Sequence, residues 1–213
     1  MGLLIAVDGP GGSGKGTICK YASKILGYPY LDTGLLYRAV AAKLIRSNDT
    51  ILKEKAIEVA NSILPEDLNE GSLRHPKVAE LASKVSSIPQ VRQKLLKYQV
   101  DFSSNPNGAI LDGRDIGTHI CPKADLKFFI TADIETRARR RWKELDKENS
   151  IENFEKVKAD LVERDARDST RDIAPLIKAE DALLIDTSEL TIDASVNLFM
   201  TAVNKKLNDE KGL

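Results

Sequence analysis

Two hydrophobic rhythms alternate along the chain. Residues 3–7, 109–111, 126–130 and 183–185 are short runs of branched apolar residues, and 28–31 is a briefer one. Such runs, bounded by turn residues, predict buried strands. Between them apolar positions return every three or four residues. This spacing predicts helices over 15–26, 34–46, 50–64, 77–85, 89–102, 133–145, 151–168 and 192–207. In the first helix Ile18, Ala22 and Ile25 share one face. Thr33 stands as a cap for the second, Pro65 ends the third, and Pro89 suits a first helical turn. Residues 66–76 are polar and irregular and predict a surface connection, while Asn105-Pro106-Asn107-Gly108 marks a turn. Strands alternating with helices predict an α/β fold of three layers, α/β/α, around a central parallel sheet of about five strands. With no repeat, low-complexity tract or linker, residues 1–213 read as one domain.

Composition narrows the function. Thirty-two basic residues balance 32 acidic ones, which weighs against a protein that coats nucleic acid or a membrane surface. Cys19 and Cys121 have neither zinc-site nor disulfide-framework spacing and read as reduced thiols. No apolar run approaches the roughly 18 residues of a membrane span. The apolar run that follows Met1-Gly2 is too short for a signal peptide and enters a glycine loop directly, so none is expected. A cytoplasmic protein is expected.

The strongest motif is Gly9-Pro10-Gly11-Gly12-Ser13-Gly14-Lys15-Gly16-Thr17, directly after a strand and before a helix. Glycines let successive backbone N–H groups turn toward an anion, the helix N-terminus adds positive potential, and Lys15 can reach the outer phosphates of a nucleotide. The chain therefore reads as a P-loop NTPase fold with ATP as donor. The residue after Lys15 is Gly16, where the strict motif has a Ser or Thr hydroxyl for Mg²⁺. No direct metal ligand is assigned, Thr17 being the one possible hydroxyl, and Mg²⁺ is expected to rest largely on water and phosphates.

Two nucleotides in one cleft require cations. Arg38 follows the second strand signal, and Arg114 ends the strand before Asp115. Arg164, Arg167 and Arg171 fall at i, i+3 and i+7, on one helical face if the helix continues past 168, with Asp165 and Asp168 beside them. Like charges at that spacing repel unless an anion or acidic partners share the face. Arg137, Arg139, Arg140 and Arg141 read mostly as a solvated face. His75 reads as inert and His119 as packing.

Taken in order, residues 9–17, 31–38, 112–118 and 164–171 with Ala174-Pro175-Leu176 resemble the bacterial cytidylate kinases along almost the whole chain. The resemblance implies roles. Arg38, Arg114 and Arg171 would hold the acceptor phosphate, with Thr33 in a place usually taken by serine. Ser83, Arg92 and Asp115 would read the cytosine edge, and Arg164 and Asp168 the ribose hydroxyls. Lys15, Arg114, Arg164 and Arg171 would carry catalysis. The acceptor would be CMP or dCMP, residues 33–107 a helical monophosphate-binding region, residues 139–172 a short lid with its flanking helices, and the protein a monomer without nucleic-acid or membrane partners. The small antiparallel insert of many members is expected to be trimmed here, near residues 60–76. Rival readings are a P-loop kinase for UMP, AMP or shikimate, and a GTPase or RNA-dependent ATPase. The only Asn-Lys pair, Asn204-Lys205, continues as Lys206-Leu207 and does not form a guanine-reading motif.

Overall fold

The computed structural model describes residues 2–47, 53–69, 71–147 and 153–211. Two compact units make up the chain, Met1–Leu31 with Ser103–Leu213, and Asp32–Phe102. The strands are β1 (Leu4–Asp8), β2 (Tyr30–Asp32), β3 (Ala109–Gly113), β4 (Leu126–Thr131) and β5 (Leu183–Asp186), in the sheet order β2-β3-β1-β4-β5 and parallel throughout. The register runs from Leu4↔Ala109 to Asp8↔Gly113 between β1 and β3, and from Ile5↔Leu126 to Asp8↔Phe129 between β1 and β4. β1 and β3 are almost wholly buried, which is why they read as unbroken apolar runs, whereas β5 at the edge buries only Ile185.

In the first unit, α1 (Lys15–Leu26) and α8 (Ile192–Lys211) pack together against the sheet. Ile18, Cys19, Ala22, Val196, Phe199 and Val203 meet Ile5, Val7, Ile110 and Phe128 in one core. The buried face of α1 runs through Ile18, Cys19 and Ala22 toward Leu26, so the expected partner Ile25 is turned outward and exposed. α6 (Ile134–Lys147) and α7 (Phe154–Thr170) form a second helix pair, with Trp142 edge-on to Phe154. The start of the helix expected at 151–168, and the middle of the expected lid, fall on residues 148–152 and lie outside the described residues.

The second unit is helical. α2 (Gly34–Arg46) packs on α3 (Lys53–Asn61) and α4 (Pro76–Val85), burying Leu36, Val40, Leu44, Ala56 and Val85; α5 (Pro89–Ser103) follows. The helix expected at 50–64 is described from Lys53, residues 50–52 lying outside the described residues. The connection expected to be irregular is two 3-10 turns, Pro65–Asn69 and Gly71–Arg74. His75 is the N-cap of α4, its ring nitrogen accepting from the Lys77 N–H. Thr33 has helical backbone and its side chain makes no capping hydrogen bond, while Asp32 accepts from the Gly34 N–H at 3.0 Å.

Phe199 is fully buried and stacks on Phe128 with ring centroids 4.1 Å apart. Phe199→Ala is expected to lower stability by about 3–5 kcal/mol in chemical denaturation, since the rigid sheet beneath leaves a cavity.

Candidate active site

The glycine loop begins where β1 ends. A Cβ at Gly9 would lie 1.9 Å from the Ile130 carbonyl oxygen, so only glycine lets the backbone pass β4 there. Gly14, at φ 86°, closes the loop and caps α1, its carbonyl accepting from Thr17 and Ile18. The first turn of α1 carries no acidic residue, which leaves its N-terminal potential uncancelled. Lys15 Nζ donates to the Pro10 carbonyl at 3.3 Å and so lies folded across the loop. Ser13 is buried and Thr17 exposed.

Two of the arginines expected in the site, Arg114 and Arg164, stand beside this loop, and Arg171 joins them through the Asp168 carboxylate they share. A Cβ placed on Gly11 would meet Arg114 Nη2 at 3.6 Å and Arg164 Nη1 at 4.0 Å. Arg114 Nε donates to Asp168 Oδ2 at 2.9 Å, and Arg164 Nε stands 3.8 Å from the same oxygen. Arg171 donates through Nη2 to Asp115 Oδ1 at 3.3 Å and through Nε to the Ala174 carbonyl at 2.7 Å. Ala174 is the one described non-glycine residue at positive φ, 52°. Its left-handed backbone, strained for an L-residue, aims its carbonyl at the arginine.

The expected single helical face is not what brings these arginines together. α7 ends at Thr170, and Arg171 has extended backbone (φ −66°, ψ 143°) beyond the helix. Arg167 turns away to pair with Glu163. The solvated face expected for 137–141 also divides. Arg139 is exposed, but Arg137 is buried and donates to the Ala132 and Gly11 carbonyls and to Asp165. Arg140 donates to Thr187, whose hydroxyl in turn donates to the Ser13 carbonyl. Both guanidiniums track the glycine loop, whose carbonyls are acceptors that the helix pattern alone does not reveal. His119 is exposed on a five-residue π-helical turn, Ile116–Ile120, and does not pack.

Sequence reasoning also passed over two buried carboxylates. Asp112 lies at the end of β3, accepting from Tyr30 Oη at 3.0 Å, and its Oδ2 is 3.4 Å from where a Gly16 Cβ would be. Asp8, at the end of β1, accepts from the Ile116 and Gly117 amides. A carboxylate closing an apolar strand was the available signal for both.

In the second unit Thr33 and Ser83 are buried. Arg38 Nη1 donates to the Leu73 carbonyl at 3.0 Å. Arg92 is buried, lies over the Tyr37 ring at 5.5 Å and donates to the Ser86 carbonyl at 3.3 Å. These contacts hold both guanidiniums in defined positions.

Burial would raise the Asp168 carboxyl, but the charges of Arg114, Arg164 and Arg171 outweigh it and hold the group below its ordinary value. Asp8 goes the other way. Burial pushes it up to about 6, with the Asp115 charge adding to the rise and the Gly117 and Ile116 amides and Lys15 opposing it.

The cytidylate kinase family model matches residues 5–205 of this chain. A cytidylate kinase of Cereibacter sphaeroides is 46% identical over 203 residues, spanning 95% of this chain and 96% of that protein. One from Paramagnetospirillum magneticum is 45% identical over 213 residues, spanning 97% and 100%. The crystal structure of an uncharacterized protein from Eubacterium ventriosum has the same fold, with a TM-score of 0.58 at 11% identity over 96% of this chain and 99% of that one.

The Asp168 cluster has a pH signature. Because its folded pKa is depressed, the stability it contributes is complete above the unfolded value of 3.8 and is lost as pH falls through the folded value. Asp168→Asn should therefore be about 3 kcal/mol less stable than the parent at neutral pH. In denaturant titrations across pH 2–7 that gap should close only at the acid end.

Proposed function

The chain belongs to the cytidylate kinase family, and from that premise we propose that it transfers the γ-phosphoryl group of ATP directly to CMP or dCMP, giving CDP or dCDP. The observation that carries this reading is the convergence of Arg114 and Arg164 on Gly11 of the glycine loop. Phosphoryl transfer needs alignment and charge neutralisation rather than covalent catalysis, and this arrangement supplies both.

In this reading the backbone N–H groups of residues 9–17 and the N-terminus of α1 hold the ATP phosphates. Lys15 leaves the Pro10 carbonyl for the β- and γ-oxygens. Arg114, Arg164 and Arg171 neutralise the transferring group. Arg38, Arg114, Arg171 and Thr33 hold the acceptor phosphate, Ser83, Arg92 and Asp115 read the cytosine edge, and Arg164 and Asp168 the ribose hydroxyls. The Asp32–Phe102 unit is then the monophosphate-binding region. The acceptor oxygen needs no general base, since the second pKa of a monophosphate is about 6 and it is already largely dianionic at neutral pH. Cytosine presents an amino donor where uracil presents an acceptor, so a site built on Asp115 leaves a polar group unpaired with UMP.

The residues fit Mg²⁺ held mainly through water. Among the described residues no group of three or more His, Cys, Asp or Glu could enclose a metal, and Gly16 supplies no hydroxyl. The space beside Gly16 is bounded by the Asp112 carboxylate, an oxygen donor suited to a hydrated Mg²⁺, with the Thr17 hydroxyl as a second donor. When bound, the ion supplies neutralisation of the charge developing between β- and γ-phosphates. We take the protein to act on free nucleotides in the cytoplasm as a monomer, with no nucleic-acid or membrane partner. No described helix is long and apolar enough to cross a membrane.

A coupled ADP-release assay over CMP, dCMP, UMP and AMP tests the assignment. CMP and dCMP should be preferred by at least about 100-fold in kcat/KM, the scale on which a hydrogen-bonding site rejects a mismatched edge. A clear preference for UMP or AMP would overturn the roles of Ser83, Arg92 and Asp115. Lys15→Ala should lower kcat by about 100-fold or more with an unchanged circular dichroism spectrum. Near-parental turnover would remove Lys15 from the mechanism.

A further inference from the structure

Asp8 belongs neither to the phosphate cradle nor to the arginine cluster, yet it is 3% exposed and stands where the glycine loop begins. Its Oδ1 accepts the Ile116 N–H and its Oδ2 the Gly117 N–H, both at 2.8 Å. Those amides open the π-helical turn that comes after Arg114 and Asp115. The β1–β3 ladder ends at Asp8↔Gly113, so the carboxylate begins to hold the segment where backbone pairing stops.

The residue placed to cap that turn is Asp115, at its N-cap position, but its side chain makes no capping hydrogen bond. An Asp in that position ordinarily turns its carboxylate back onto the first free amides. Here those amides are already taken by Asp8 from the neighbouring strand, and the Asp115 carboxylate faces Arg171 instead. The cap is supplied from another strand, and the local carboxylate pairs with Arg171.

Stability alone does not account for an acid at position 8. With its folded pKa near 6 and an unfolded value of 3.8, its favourable contribution is complete below the unfolded value and lost as pH rises through about 6. At neutral pH that contribution is gone, while both its oxygens remain engaged by the turn.

We infer that Asp8 is a positioning residue for recognition of the acceptor base: by capping the Ile116–Ile120 turn from β1 in place of Asp115, it leaves the Asp115 carboxylate facing Arg171 and sets it relative to the glycine loop. The inference rests on the reading of Asp115 as a group that contacts cytosine. Asparagine at position 8 keeps the size but offers one acceptor where two amides need one each, and its amino group opposes the second.

The test is steady-state kinetics of the full chain and of Asp8→Asn, Asp115→Asn and the double variant, with CMP, UMP and ATP varied in turn. Asp8→Asn should raise KM for CMP and shrink the CMP-to-UMP preference by about tenfold, the scale of one lost charge-assisted hydrogen bond. KM for ATP should stay within about twofold. Adding Asp8→Asn to Asp115→Asn should alter the preference no further, as expected for two residues in one chain of action. An unchanged preference in Asp8→Asn, or KM for ATP rising as much as that for CMP, overturns the inference. Asp115→Asn retaining full discrimination overturns instead the reading beneath it. Should Asp8→Asn fail to fold, amide exchange in the parent protein decides. Slow exchange at Ile116 and Gly117 is expected, and exchange at free-peptide rates removes the cap.

Discussion

Guanidinium groups brought close together repel, and the rest of the site depends on how that repulsion is met. Two unit charges 5 Å apart oppose each other by about 3 kcal/mol at an effective dielectric constant of 20. Asp168 answers by lying against both Arg114 and Arg164, and Asp115 does the same for Arg171. The protein folds with its cations already gathered because each has a carboxylate to lean on. The proposed roles give these same carboxylates to ribose and base, so under that proposal phosphate oxygens would take over the cations as sugar and base take over the anions. Substrate binding would then be an exchange of partners rather than the burial of new charge, which keeps desolvation small.

The sheet makes that gathering possible. β1 delivers the glycine loop and β3 delivers Arg114, and the two strands are parallel neighbours in register through Asp8↔Gly113. Their carboxyl ends open at one edge, where α/β folds place ligands. Asp112 and Asp8 stand at the ends of these strands, and each ties down a neighbouring element. Asp112 holds the Tyr30 hydroxyl beside Gly16, and Asp8 holds the π-helical turn. The loops that carry chemistry are held by short bonds from rigid strands.

Most of this was legible wherever a local pattern has a local cause. The apolar runs at 3–7 and 109–111 marked the central strands because burial on both faces leaves no room for polar alternation, and the glycine loop was legible because its backbone geometry demands glycine. Arg137 was misread because its partner, the Gly11 carbonyl, is distant in sequence and supplied by a loop that helix periodicity does not describe. Arg171 would share a helical face with Arg164 only if the helix ran on past 168; it stops at Thr170, and the bond from Arg171 to Ala174 depends on a backbone conformation that the type of residue does not announce. Ile25 fell outside the core because a one-residue rotation of the buried face selects Cys19 and Leu26 instead. The π-helical turn has no periodic signature at all over its five residues.

The left-handed Ala174 also shapes how this stretch can drift over generations. Asp172 and Ile173 are exposed, so many replacements there leave the aim of Arg171 untouched. Position 174 is constrained by its torsion angle rather than by the chemistry of its side chain. Glycine would relax it, and a valine or isoleucine would swing the carbonyl off the guanidinium. A variant harmful at 174 would thus look, in a simple burial map, like an innocuous change at a half-exposed loop.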